Sequence, residues 1–190
     1  VQERNIPGRL RDEELKLVSG ELNGAAEKQP VAFCNYSVEM ETGTGKTYVY
    51  LRTALALAQR YGLRKFIIVV PSVAICEGVL KTLEITRDHF SQVSDHLPYR
   101  WCKYSSDNLS QVRQFALSES VEFMVMTLAS FNKATNVLLQ STDRLQGETP
   151  VHLLQASRPV LILDEPQNME SDKSRAALCN LNPLFALRYS

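Results

Sequence analysis

METGTGKTYVYLRTALALAQRYG, residues 40–62, decides the fold class of this chain. The chain has only 8 glycines in 190 residues, yet Gly43 and Gly45 fall together here beside Lys46 and Thr47. Glycine passes readily through left-handed backbone conformations, so successive N–H groups can converge on phosphate oxygens. Thr42, Gly43, Thr44 and Gly45 form such a cradle, Lys46 adds a point charge for the outer phosphates, and Thr47 offers a hydroxyl to Mg²⁺. The helix that follows points its N-terminus, and hence its dipole, at the same anion. Leu51, Ala54, Leu55 and Ala58 recur on one face and Gly62 stops the run, which predicts a helix over 46–61. The strict phosphate-loop pattern G-x-x-x-x-G-K-[ST] asks for glycine where Met40 stands. The bland alternative is a glycine-rich turn with an incidental lysine.

Working outward, strands and helices alternate from Val31 on. A strand at about 34–40 runs into the loop. KFIIVVP at 65–71 is a continuous apolar run, as in a strand buried on both faces of a parallel sheet. Pro71 and Ser72 open a helix with Ser72 as N-cap, carrying Ile75, Val79, Leu80 and Leu83. Further strands are predicted at about 99–104, 122–127, 159–163 and 185–189, with a helix at 108–118. Residues 135–157 read as a helix, an exposed loop through Thr142 to Pro150, and a short helix. The whole is a doubly wound α/β arrangement with a mostly parallel sheet over 31–190. Ligands of such sheets sit at the carboxyl ends of strands. Residues 1–30 form a polar lead-in with one possible short helix around 10–19. Glu14-Leu15-Lys16 within it matches an E-x-K nuclease fragment, but no Pro-Asp precedes it at useful distance, so it reads as a solvated helix face.

The second chemical motif is LILDEPQ at 161–167, two adjacent carboxylates closing a buried strand. Phosphoryl transfer asks a protein mainly for positioning and charge neutralisation. Asp164 suits a metal held opposite Thr47, and Glu165 suits the orientation and deprotonation of an attacking water. The plain alternative is two acids at a turn, for which Pro166 gives a reason.

Composition sets bounds. With 21 basic and 21 acidic residues the formal charge is zero, so no global electrostatic footprint for nucleic acid exists. Cys34, Cys76, Cys102 and Cys179 are scattered without C-x-x-C spacing, which fits reduced, packed thiols and a cytoplasmic setting. His89, His96 and His152 lack partners at metal-ligand spacing. No apolar stretch approaches the ~20 residues of a membrane span, and the N-terminus is no signal peptide.

The DEPQ box resembles the D-E-x-Q or D-E-x-H box of superfamily-two helicases. In longer blocks, 37–63, 65–90 and 158–170, extended by LNPLFALRYS at 181–190, the chain resembles the motor of type III restriction enzymes. The resemblance implies a RecA-like ATPase domain that uses ATP and Mg²⁺. It further implies a restriction subunit that works with a modification methyltransferase and moves on double-stranded DNA before a separate nuclease domain cuts. On this resemblance Met40–Thr47 match motif I, Pro71 and Ser72 fall in motif Ia, 126–133 in motif Ib, and Asp164–Gln167 match motif II. Gln167 then couples nucleotide to motor, and Pro71, Ser72, Thr127, Ser130 and Asn132 are candidates for DNA-backbone contact. Hydroxyls and amides are ordinary phosphate donors, although local capping explains the same residues equally. The adenine-reading glutamine motif of the superfamily is not recognisable. The family's motif III begins Ser-Ala-Thr, and Ser190 stands at its first position. A second motor lobe with its arginine finger, and a nuclease, are therefore expected in a longer parent chain, and hydrolysis by these 190 residues alone is expected to be slow. Two other classes stay open: a GTPase switch or small-molecule kinase, for which Asn132-Lys133 is a partial guanine motif lacking Asp at Thr135, and a module that binds nucleotide without turnover.

Overall fold

The computed structural model describes residues 33–41, 43–105, 108–130, 150–169 and 171–190. Its strands are β1 (Cys34–Val38), β2 (Lys65–Val70), β3 (Tyr99–Lys103), β4 (Val121–Thr127), β5 (Val160–Asp164) and β6 (Phe185–Tyr189). They form one six-stranded sheet in the order β1-β6-β5-β2-β4-β3, and every pairing is parallel. β2, β4 and β5 lie inside the sheet and are buried at every position. That is why they read as unbroken apolar runs, whereas β1, on the edge, alternates between half-buried and exposed residues.

The two faces of each inner strand feed two separate cores. Phe66, Ile68 and Val70 pack with residues of α1 (Lys46–Tyr61), α2 (Val73–Ile85) and α3 (Arg87–Val93). Ile67 and Val69 pack on the opposite side with residues of α4 (Leu109–Leu117), α5 (Pro150–Ser157) and α6 (Asp172–Asn180). This period-two partition gives an α/β/α sandwich, the arrangement that the resemblance to a RecA-like domain implies.

The local rules act where the sequence places them. α1 starts at Lys46 and ends at Tyr61, where the Gly62 N–H donates to the Ala58 carbonyl at 2.9 Å. The Ser72 hydroxyl caps α2 by accepting from the Ile75 N–H at 3.3 Å. Not every apolar residue of α2 faces inward. Ile75 is exposed and Leu80 half-buried, while Cys76 joins Val79 and Leu83 in the core. Each helical residue turns the side chain by about 100°, so with Val79 and Leu83 inward it is residue 76 that completes the stripe. α3 and α6 were not expected: RDHFSQV carries few apolar residues, and those of DKSRAALCN are bunched at 176–179 over too short a run to show a period. β5 runs one residue further than the predicted 159–163 and takes in Asp164. The expected helix around 10–19, the lead-in and the loop through Thr142 lie outside the described residues.

All four cysteines are free, and burial pushes the Cys102 thiol up to about 11. His89 bonds to Tyr48, and the His152 side chain lies outside the description. Among the described residues no helix is long and apolar enough to cross a membrane.

Candidate functional site

Register places the two motifs together. Val38 at the end of β1 pairs with Tyr189 at the end of β6, and Tyr189 pairs with Asp164 at the end of β5. The phosphate-loop strand and the acidic strand are thus two inter-strand steps apart, about 10 Å. Backbone bonds continue beyond the strand ends. Met40 N–H donates to Ser190 O at 2.8 Å, Ser190 N–H to Val38 O at 3.2 Å, and Glu165 N–H to Tyr189 O at 2.9 Å. The start of the loop and the Asp164-Glu165 pair are therefore fixed to the same central strand.

The loop has the backbone that its sequence requires. Gly43 and Gly45 adopt φ of 81° and 85°, in the left-handed region, and each has open space where a Cβ would project. Thr44 folds back on the loop, its hydroxyl donating to Glu41 O at 2.6 Å and its N–H to the same oxygen at 3.3 Å. Gly45 then caps α1 without a side-chain bond, so no capping side chain occupies the first N–H groups of the helix. Thr42 lies outside the described residues.

Across the crevice, Asp164 and Glu165 occupy opposite environments although they are neighbours in sequence. Asp164 ends the strand and is 5% exposed. Burial pushes its carboxyl above the usual range, while the nearby Lys46 ammonium pulls the other way. Glu165 leaves the strand at φ 55°, a left-handed conformation uncommon for a residue with a Cβ. The turn brings its side chain to Lys46 and Gln167, where Lys46 Nζ donates to Oε1 and Gln167 Nε2 donates to Oε2. These two donors hold the Glu165 carboxyl below its usual value, Lys46 being the larger cause. Pro166 starts the short 3₁₀ turn Pro166–Met169 that brings Gln167 back over Glu165.

Lys46, Asp164, Glu165 and Gln167 thus meet in one place, with Thr47 beside them in the first turn of α1. The sequence reading passed over Tyr50, one turn into α1. It is fully buried, and its hydroxyl is pushed well above its ordinary value by burial, with Asp164 adding to the shift. A large aromatic one turn after Lys46-Thr47 was the available signal.

The other candidates lie on the same carboxyl edge, because Val70 pairs with Thr127. Pro71 and Ser72 leave β2 there, and Thr127 to Ser130 leave β4. Ser72 is the N-cap of α2. The Thr127 side chain is buried, accepts from the Ser130 N–H at 3.1 Å and donates to Ser130 Oγ at 2.8 Å. Asn132, with Lys133 and Thr135, lies outside the described residues.

Compared with known families, residues 13–189 match the one described as type III restriction enzyme, res subunit. The match starts inside the segment that the sequence reading sets apart as a lead-in. Similar proteins include the Res subunit of the type III restriction-modification enzyme StyLTI from Salmonella typhimurium, 33% identical over 175 residues and covering 82% of this chain. The EcoP15I Res subunit of Escherichia coli is 28% identical and the EcoPI Res subunit of Escherichia phage P1 27% identical, each over 172 residues and 80% of this chain. The chain spans 18% of the length of each of these relatives.

Proposed function

This chain belongs to the type III restriction enzyme Res-subunit family and carries its helicase-like, RecA-type domain, and from that premise we propose that residues 31–190 bind ATP with Mg²⁺ and hydrolyse it to drive movement on double-stranded DNA. The observation that carries the reading is the contact of Lys46 with Glu165, two side chains 119 residues apart in sequence. It puts the cation for a triphosphate and the acceptor for a proton in one crevice.

The residues fit the ligands proposed for them. The glycine turns leave space in the loop, no side chain caps the first N–H groups of α1, and a buried carboxylate stands at the end of β5. Mg²⁺ is typically held by one or two protein oxygens together with substrate phosphates. Thr47 and Asp164 supply that set, and among the described residues no cluster of three or more ligating side chains competes with it. When bound, the metal neutralises phosphate charge.

The protein's own residues carry out the rest. The amides of Thr42–Gly45 bind phosphate oxygens and Lys46 neutralises the outer ones. In turning to phosphate, Lys46 gives up Glu165, and the carboxyl loses the bond that chiefly depresses it. Glu165 thereby becomes a better acceptor for the proton of an attacking water, while Gln167 keeps it aimed. Pro71, Ser72, Thr127, Ser130 and Asn132 are the proposed contacts to the DNA backbone. The names of the relatives support a parent chain that is the Res subunit of a restriction-modification enzyme; a methyltransferase partner, a second motor lobe and endonucleolytic cleavage by another domain are proposed on the resemblance.

The test is titration with ATP and GTP, with steady-state phosphate release measured with and without duplex DNA. ATP binding with DNA-stimulated release in an enzyme carrying both motor lobes is expected. GTP bound more tightly than ATP would favour a switch protein, and binding without release in that two-lobed enzyme would favour a non-catalytic module.

A further inference from the structure

We propose that Tyr48 is the platform on which the nucleotide base rests, so that the first turn of α1 grips both ends of the ligand. The inference deepens the nucleotide reading and rests on it. Lys46 and Tyr48 are two residues apart, about 200° around the helix axis, and so project on opposite sides of α1. Lys46 turns to Glu165 beside the end of β5. Tyr48 turns the other way, to His89 and Phe90 of α3. A triphosphate lying across the N-terminus of α1, with its terminal phosphate at Lys46, carries its base over the helix end to the Tyr48 side. The width crossed is that of one helix with its side chains, about 10 Å, which suits the reach from a terminal phosphate to the base.

Tyr48 is built as a fixed surface. It directly follows Thr47, yet 39% of it is exposed, where the other exposed large apolar residue of α1, Tyr61, stands at the far end of the helix. Its ring stacks on the fully buried Phe90, with centroids 5.1 Å apart and planes inclined by 27°. Its hydroxyl and His89 Nε2 share a hydrogen bond of 2.8 Å. An aromatic ring held against Phe90 and His89 and bonded at its tip, with 39% of the residue still exposed, loses little freedom when a second ring stacks on it. Stacking on an aromatic side chain is tolerant of base identity, because every base has a π-face. The platform therefore supplies affinity without choosing adenine over guanine, in keeping with the lack of a recognisable adenine-reading motif in the sequence.

The experiment is calorimetric titration of the 190-residue chain, in magnesium, with ATP, GTP and inorganic tripolyphosphate. Tyr48→Ala is expected to weaken ATP and GTP by the same factor, about tenfold or more, and to leave tripolyphosphate unchanged. Tyr48→Phe, which keeps the ring and drops the His89 bond, is expected to retain most of the affinity for both nucleotides. The platform is overturned if Tyr48→Ala leaves ATP binding intact, or weakens tripolyphosphate in step with ATP. Unaltered chain that binds tripolyphosphate as tightly as ATP would leave the phosphate site standing and remove the platform alone. Unaltered chain that binds neither would remove the nucleotide reading and the platform with it.

Discussion

Lys46→Ala is expected to leave the fold intact and to cost this chain its ATP binding by a factor of at least ten to a hundred. Losing one ammonium group has two separable consequences. In the structure Lys46 pairs with Glu165 at a site where the two side chains retain 12% and 27% exposure. Water still reaches the pair, so its contribution to stability is of the order of an exposed ion pair, about 1 kcal/mol or less. The ligand loses far more. A hydrogen bond to a charged group contributes about 1.5–3 kcal/mol, and removing one preorganised donor from a developing anion slows a reaction by about 10²–10³-fold. Thermal unfolding beside ATP titration checks both halves. A variant with unchanged melting and unchanged ATP affinity would remove Lys46 from the phosphate site.

Glu165→Gln separates binding from chemistry. Glutamine keeps the shape and the capacity to meet Gln167, but it cannot accept a proton and no longer competes for Lys46. Affinity for ATP is therefore expected to hold or to rise slightly. Turnover in an enzyme that carries both motor lobes is expected to fall by about 10²–10⁴-fold, the usual contribution of a positioned general base. Single-turnover phosphate release with a parallel binding titration is the measurement. If turnover survives at its original rate, Glu165 is not the proton acceptor and a different group must orient the water.

The sequence spelled out the elements that are governed by local chemistry. Lys46–Tyr61 is bounded by Gly45 and Gly62, both in left-handed backbone, and its limits are legible from those punctuation marks. β2 and β5 are legible because a strand covered on both faces must be apolar throughout. Short helices with little to bury were not legible. α3 places one residue, Phe90, in the core, and one residue makes no periodicity. On α2 the apolar Ile75 is exposed while Cys76 is buried, because phase along the helix and not hydrophobicity alone selects the buried position.

The site was half visible in the same way. Residue types and spacing single out Lys46, Thr47, Asp164 and Glu165 as phosphate and carboxylate chemistry. Their meeting is a matter of topology: β6, the last strand in the sequence, inserts between β1 and β5 and sets the distance between the motifs. No local pattern encodes that order. Nor does a local pattern tell which of two adjacent acids is buried. The difference comes from the left-handed turn at Glu165, which a sequence with Pro166 next in line only hints at. Thr127 and Ser130, proposed for contacts to the DNA backbone, bond to each other locally: the Thr127 hydroxyl accepts from the Ser130 N–H and donates to Ser130 Oγ.

Crystals grown with Mn²⁺ in place of Mg²⁺ and a non-hydrolysable ATP analogue would test the central claim most directly, through the anomalous signal of the metal. The account predicts a peak between the Thr47 hydroxyl and the Asp164 carboxylate, with Lys46 turned from Glu165 to the phosphates. A metal peak at any other edge of the sheet, or a triphosphate bound with Lys46 still paired to Glu165, would contradict it.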